Sequence, residues 1–259
     1  MKTKEKSLAL GVGAAAVLSV FLVWYFAASY TKVSLFFPTP QTVFTKFMES
    51  LRVPIGKYTL QMHVLYSLKR VFIGFGLSSV TGIILGVAMG YSQTVNAIVR
   101  PIFNIIRPIP GLAWIPLAIL WFGIGETTKY FIIFMGGFAN IVLNSYDGTN
   151  KVNPTLVGAA ELLGANKFQI FTNIILPSAT PYIFAGLQVS LSTSWMAVLA
   201  AEMISSYEGA GWIINMGMNS GDTVLILVGM ISIAVIGFAL ANIMRVLERR
   251  LCSWTERGK

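Results

Sequence analysis

The sequence predicts an all-α integral membrane protein. Three observations carry this: 55% of the residues are apolar against 11% charged, mean hydropathy is +0.72, and the apolar residues gather into six runs. Charge at about half the level of an average soluble domain cannot cover a globule with polar surface. Helices that satisfy their own backbone are the form in which such a chain is stable in lipid.

Each run is compared with the ~20 residues that cross ~30 Å of hydrocarbon. The first, 8–28, is continuous and uncharged. Lys2, Lys4 and Lys6 precede it as in a secretory signal, but it exceeds the ~7–15 residues of a signal core and no small-x-small cleavage site follows, so it reads as an anchor. In the next connection Pro38 and Pro40 stop any upstream helix, and Thr39 or Thr42 can cap a new one. From there 43, 44, 47, 48 and 51 are apolar at helical spacing, which predicts a short interfacial helix with a packing role.

The second span runs from Val71, or as early as Val64, to Tyr91. Gly82, Gly86 and Gly90 recur within it at intervals of four, removing side chains from one face so that another helix can approach closely. The third, 108–125, is short and broken by Pro108, Pro110 and Pro116. Irregular backbone at membrane depth is tolerated where it lines water or is buried in protein, so this span is the first candidate for lining a route. The remaining spans are 130–146, 182–204 and 224–244, the last repeating the glycine signal more weakly at Gly229 and Gly237.

Six spans place both termini on one side. Lys2, Lys4, Lys6, Arg245, Arg249, Arg250, Arg257 and Lys259 make that side cytoplasmic, with Arg100 and the segment 147–181 facing the same way. Lys32, Lys46, Arg52, Lys57, Lys69 and Arg70 run against the rule, because this orientation puts them outside. The net charge of +9 is then topological, and no basic run with interleaved aromatics points to nucleic acid. The single cysteine, Cys252, allows neither an internal disulfide nor a cysteine-based metal cage. No internal repeat or separate soluble domain is evident, so residues 1–259 form one membrane domain.

The segment 147–181 is too long for a turn and too polar to span. Asn153-Pro154 marks a helix start, apolar and small residues follow through Leu163, Gly164 interrupts, and a second helical pattern resumes at Phe168 and is expected to end at Leu176-Pro177. Such an elbow, with large apolar residues beside a bend, is shaped to enter a groove on something outside the membrane.

Gly158-Ala159-Ala160-Glu161-Leu162-Leu163-Gly164-Ala165 followed by Ile174-Ile175-Leu176-Pro177 resembles the cytoplasmic signature loop of binding-protein-dependent ABC importer permeases, in which Glu-Ala-Ala precedes a Gly and later Ile-x-Leu-Pro. This chain departs at the first position, having Gly158 in place of Glu. Pro110-Gly111-Leu112-Ala113-Trp114-Ile115-Pro116-Leu117, Trp121-Phe122-Gly123-Ile124-Gly125-Glu126, Ala201-Glu202-Met203 and Gly209-Ala210-Gly211-Trp212 are similar to the nitrate, sulfonate, taurine and bicarbonate class of these permeases, as is His63 with Ser67-Leu68, Arg70 and Gly74-Phe75.

The resemblance implies a type I ABC importer permease fold of six transmembrane helices with a cytoplasmic coupling helix. It further implies a homodimer lining one inner-membrane pathway for a small anion such as an aliphatic sulfonate, taurine or nitrate, with a thiamine-precursor-like solute as the alternative. An ABC ATPase dimer would dock on Gly158, Ala159, Ala160, Gly164, Ala165, Ile174, Leu176 and Pro177, and an extracytoplasmic solute-binding protein would deliver cargo. The chain itself needs no cofactor and is not an enzyme, having no Gly-x-x-x-x-Gly-Lys-Ser/Thr loop.

Candidate route or gate residues are Arg107, Pro110, Pro116, Ser194 and Glu202. Arg107 offers an oxyanion a guanidinium at the inner mouth, or is a basic anchor at a helix start. Glu202 either shapes an outer gate or snorkels and holds the following connection by hydrogen bonds. Ser190, Ser192, Thr193 and Ser194 face a route or bond to backbone carbonyls. His63 alone makes no zinc site, and a routine hydrogen bond suits it. Two rival classes are weaker: a stand-alone secondary carrier needs ion-coupling acids or a lined pore and has only Glu202 as a plausible buried acid, and an intramembrane enzyme lacks paired catalytic groups.

Overall fold

The computed structural model describes residues 2–30 and 37–252. Lys32, Arg257 and Lys259, and the side chains of Lys2, Lys4 and Lys6, lie outside the described residues. The described chain is helical almost throughout: α1 Lys2–Tyr30, α2 Pro40–Ser50, α3 Leu60–Tyr91, α4 Gln93–Ile106, α5 Ile115–Phe122, α6 Glu126–Asn150, α7 Pro154–Leu162, α8 Lys167–Ile170, α9 Leu176–Ser205, α10 Ala210–Ser220 and α11 Thr223–Leu251.

Four described helices are long and apolar enough to cross a membrane, lying within α1, α3, α8–α9 and α11. The pair Gln93–Ile106 and Gly111–Phe122 qualifies jointly, bent by 83°, which brings the number to five. Helix α6 carries Asn140, Asn144, Ser145 and Thr149 and is less apolar. It lies between α3 and α9, and protein on both sides relieves it of the hydropathy that lipid exposure demands.

The α3–α6 contact is made by small residues. A Cβ at Gly86 would overlap the Val142 carbonyl oxygen, one at Gly90 would stand 2.6 Å from Thr149 Cβ, and one at Gly82 3.0 Å from Ile141 Cβ. The seam extends beyond the glycines read from sequence, since Gly74 meets Ile133 in the same way and Ser78 is fully buried between them. Toward α9, Gly137 lies between Ser78 of α3 and Ser190 and Ser194 of α9, and Gly148 lies under Tyr182. Ser190 Oγ donates to the Gly137 carbonyl at 2.7 Å and Ser194 Oγ to that of Ile133 at 3.2 Å.

Three elements differ from the sequence expectation. The third apolar segment begins at Gln93, not at 108, because Ser92 caps a helix that tolerates Asn96, Arg100 and Pro101 before breaking at 107–110. Leu176-Pro177 does not end a helix. A π turn at Phe171–Ile175 precedes it, leaving Pro177 in the first turn of α9, where a missing N–H leaves no bond unmade, and the helix continues to Ser205. The connection after α9 forms another helix, α10, packed against α11.

Helix α1 is largely exposed and is fastened near its C-terminal end, where Trp24 Nε1 donates to the Pro38 carbonyl at 3.0 Å. Helix α2 starts under a Thr39 cap and seats Val43 with Ile55, Leu60, Ile213, Leu225 and Val228.

Candidate functional site

Three places along the bundle carry the candidate residues: an elbow at one end, a charge cluster at the opposite end, and the break between α4 and α5.

At the elbow, Asn153 caps α7 by accepting from the Thr155 N–H, and α7 ends on Leu163. The Ala165 N–H then bonds the Ala160 carbonyl at 3.0 Å and the Gly164 N–H that of Glu161 at 3.0 Å, the paired closure that requires a left-handed residue between them. Gly164 supplies it with φ +84°. Asn166 and Gln169 exchange hydrogen bonds at 2.9 Å and start α8.

The elbow is therefore locally rigid, yet its apolar residues stay uncovered: Leu162 is 92% exposed, Leu163 88% and Phe168 74%. Exposed apolar residues grouped beside a fixed bend mark an interaction surface. Ile174 and Pro177 line a cleft of about 590 Å³ together with Leu156 of α7, which ties the elbow to the foot of α9. Gly158 has open space where a Cβ would be, so nothing in the fold excludes a larger residue there. At the same end, Lys151 holds the Asp147 carboxylate at 2.9 Å, and that bond raises the lysine above its ordinary value. Burial pushes the Cys252 thiol up, which suits a bystander.

At the opposite end Arg70 is fully buried and its guanidinium is saturated. Nε and Nη2 clamp the two oxygens of Glu126 at 2.8 and 2.7 Å. Nη1 donates to Glu202 at 2.8 Å and to the Glu208 carbonyl at 2.9 Å, while Nη2 also reaches the Glu208 carboxylate at 2.6 Å. Lys129 adds a second cation 2.8 Å from Glu126. Glu202, also fully buried, accepts from Ser67 Oγ at 2.8 Å and from the Gly211 N–H at 3.0 Å.

The first turn of α10 is bonded from outside in the same region. The Ala210 N–H donates to Ser67 Oγ at 2.9 Å and the Gly209 N–H to His63 Nδ1 at 3.1 Å, while His63 Nε2 donates to the Ile55 carbonyl at 3.0 Å. His63 is thus a neutral, fully buried brace stacked on Trp212 at 5.1 Å. Gly209 has φ +117°, and a Cβ there would collide with the Glu202 carboxyl group, so only glycine fits.

Several sequence readings are revised here. Glu202 holds the following connection by hydrogen bonds, but it does so buried in an ion pair and not by snorkelling. Ser194 faces α6, not an open route. Arg70 is not a free cation on the wrong side of the membrane, because three carboxylates neutralise it. Of these partners sequence reasoning singled out only Glu202, although Arg70, Glu126, Ser67, His63 and the Gly209–Trp212 run all fall within the motifs that carry the resemblance.

At the break, Arg107 is the exposed C-cap of α4 and not a helix start. Its stem borders an apolar groove of about 120 Å³ with Leu85, Met135, Phe138 and Ala139. Pro110 opens the 3-10 turn Gly111–Trp114, and Pro116 stands in the first turn of α5; both are exposed. Gly111 abuts Gly136 of α6 so closely that a Cβ on it would stand 2.9 Å from the Gly136 Cα, and Gly136 in turn meets Thr193 and Ala197 of α9.

Comparison with known proteins gives these features a family. Residues 78–252 match the family model described as binding-protein-dependent transport system inner membrane component. The taurine transport system permease protein TauC of Escherichia coli is 36% identical over 253 residues, covering 96% of this chain and 91% of that protein. The putative aliphatic sulfonates transport permease protein SsuC of Bacillus subtilis is 32% identical over 84% of this chain and 77% of its own. The nitrate import permease protein NrtB of Synechocystis is 35% identical over 73% and 69%. The fold is shared with a chain of the MetNI methionine ABC transporter in an inward-facing conformation, with TM-score 0.60 and 20% identity over 71% of this chain and 92% of that one. The chain therefore belongs to the inner-membrane permease family of binding-protein-dependent ABC importers, a multi-pass transport subunit whose ATP hydrolysis takes place on a separate ATPase.

Proposed function

We propose that two copies of this subunit form the pathway of an importer for a small oxyanion, an aliphatic sulfonate, taurine or nitrate, with both termini in the cytosol. An extracytoplasmic binding protein delivers the anion at the end where Arg70 and its carboxylates lie. The ATPase pair grips the elbow at 158–165 and 174–177. ATP binding draws the ATPases together and drags the docked helices, and α9 transmits that movement because it is continuous with the elbow.

The observation that carries this reading is the elbow itself. Leu162, Leu163 and Phe168 stand almost bare around Gly164, whose backbone is locked in the left-handed region. Burying such side chains in a partner contributes about 1.5–3 kcal/mol each. The cargo class follows from the named relatives, which transport taurine, sulfonates and nitrate.

Gly164→Trp and Ala160→Asp test the mechanical part. Each is expected to leave the protein in the membrane at normal abundance and to abolish ATP-driven uptake in cells that carry the ATPase and the binding protein. Full uptake by either variant contradicts the docking role. Uptake of labelled taurine, ethanesulfonate and nitrate by the unaltered complex tests the cargo class separately.

A further inference from the structure

The acids of this chain avoid the middle of the bundle. Aspartate and glutamate are absent between Glu49 and Glu126, between Glu126 and Asp147, between Glu161 and Glu202, and between Asp222 and Glu248. One cation does not follow this pattern. Arg107 borders Met135, Phe138 and Ala139, the centre of the apolar stretch 130–146. At ~1.5 Å per helical residue, Met135 lies roughly 14 Å from one end of α6 and roughly 22 Å from the other. Among the described residues the Arg107 side chain has no hydrogen-bond or ion-pair partner, and it is exposed. A guanidinium on a side chain rooted at this depth without a counter-ion faces water, a second protein surface or an anionic ligand, because hydrocarbon disfavours its charge.

The surroundings fit the third. The backbone leaves helical geometry at 107–110, and irregular backbone at membrane depth lines a cavity or protein. Behind the break the backbones pack closely, Gly111 against Gly136 and Gly136 against Thr193, and one turn along α6 Asn140 Nδ2 donates to Thr193 Oγ1 at 3.5 Å, so Arg107 is the charged group at a break otherwise bordered by apolar side chains. The fork of arginine matches the planar or tetrahedral oxygens of nitrate and sulfonate better than any ammonium does.

We propose that Arg107, at the break between α4 and α5, is an anion-binding station in the middle of the translocation pathway, taking the oxyanion head of the cargo. This rests on the oxyanion-importer reading above. With no acid at this level the field of the station is positive, so cations are repelled and the anion is drawn past the halfway point without being trapped by a saturated site.

The test uses the full complex reconstituted in proteoliposomes with its ATPase and binding protein, and labelled taurine, ethanesulfonate and nitrate as probes. Arg107→Gln is expected to lower kcat/KM for uptake at least tenfold, mainly through KM, and Arg107→Lys, which keeps the charge and loses the fork, to recover part of it. Arg100→Gln, whose parent residue sits over Tyr146 and outside the station, is expected to transport normally. If wild type takes up one of the anions and Arg107→Gln does so within twofold of it, the station is overturned while the importer reading stands. If wild type takes up none of them, the oxyanion reading fails and the station with it. Where Arg107→Gln does not assemble with the ATPase, Arg107→Lys decides: a KM raised severalfold supports the station, and an unchanged KM overturns it.

Discussion

Arg70 illustrates how one residue can carry several helices. Its guanidinium bonds acids from α6, from α9 and from the loop before α10. Removing one partner of a buried pair leaves the other charge uncompensated, typically at about 3–5 kcal/mol. Arg70→Met is therefore expected to lower stability by about that amount, read as a loss of thermal unfolding midpoint in detergent. A change below about 1 kcal/mol would mean the cluster is solvated and does not brace the fold. The elbow offers a contrasting residue. Gly158 occupies a helix with free space around its Cα, so Gly158→Glu is expected to leave the fold intact and to gain a few tenths to ~1 kcal/mol of helix stability. Thermal unfolding checks this, and reduced uptake by that variant would show that the absent side chain matters to docking.

Much of this chemistry was legible in the sequence as residue identity and little of it as partnership. His63, Ser67, Arg70, Glu126, Glu202 and Gly209 stand out singly, but Arg70 reaches partners 56 and 132 positions away, a distance that no local pattern reports. The elbow was legible because every bond that shapes it is local: the Asn153 cap, the Gly164 reversal and the Asn166–Gln169 box all fall within one stretch.

Helices α3 and α6 approach through absent side chains. Gly86→Leu would push a carbon toward the Val142 carbonyl, whose backbone cannot yield without separating the two helices. Overpacking of this kind destabilises by roughly 1–3 kcal/mol. At Gly76 of the same helix nothing lies within 4 Å, so Gly76→Leu is expected to be neutral. Comparing the yield and melting temperature of the two variants separates a packing seam from a general intolerance of bulk in α3. The glycine interval exposed this seam in advance, whereas the true extent of α4 was hidden. Asn96, Arg100 and Pro101 look like a polar loop, yet α4 is amphipathic and packs Phe103 against Val142 and Met89. Leu176-Pro177 misled for a related reason, since the π turn that accommodates the proline has no sequence signature.

For the whole subunit, the distribution of polarity gives a consistent mechanical picture. A charge cluster fixes α3, α6, α9 and α10 to one another at one end, a glycine seam joins α3 and α6 along their length, and α9 runs uninterrupted from the cluster to the exposed elbow. On the proposed reading, movement imposed on the elbow would be carried to the far end of the bundle by helices that shift as a body, which is what alternating access requires of a subunit without its own energy source.

The most direct test places a cysteine at the elbow, Leu162→Cys with Cys252→Ser, loads it by thiol–disulfide exchange with a photoactivatable cross-linker, and asks which polypeptide the arm captures on illumination in membranes containing the complete complex. The account predicts a reducible adduct to the ATPase subunit, formed from the cytosolic face, which blocks uptake until reductant restores it. Cross-linking to no ATPase, or modification of that cysteine by an impermeant reagent added from the periplasm, would contradict it.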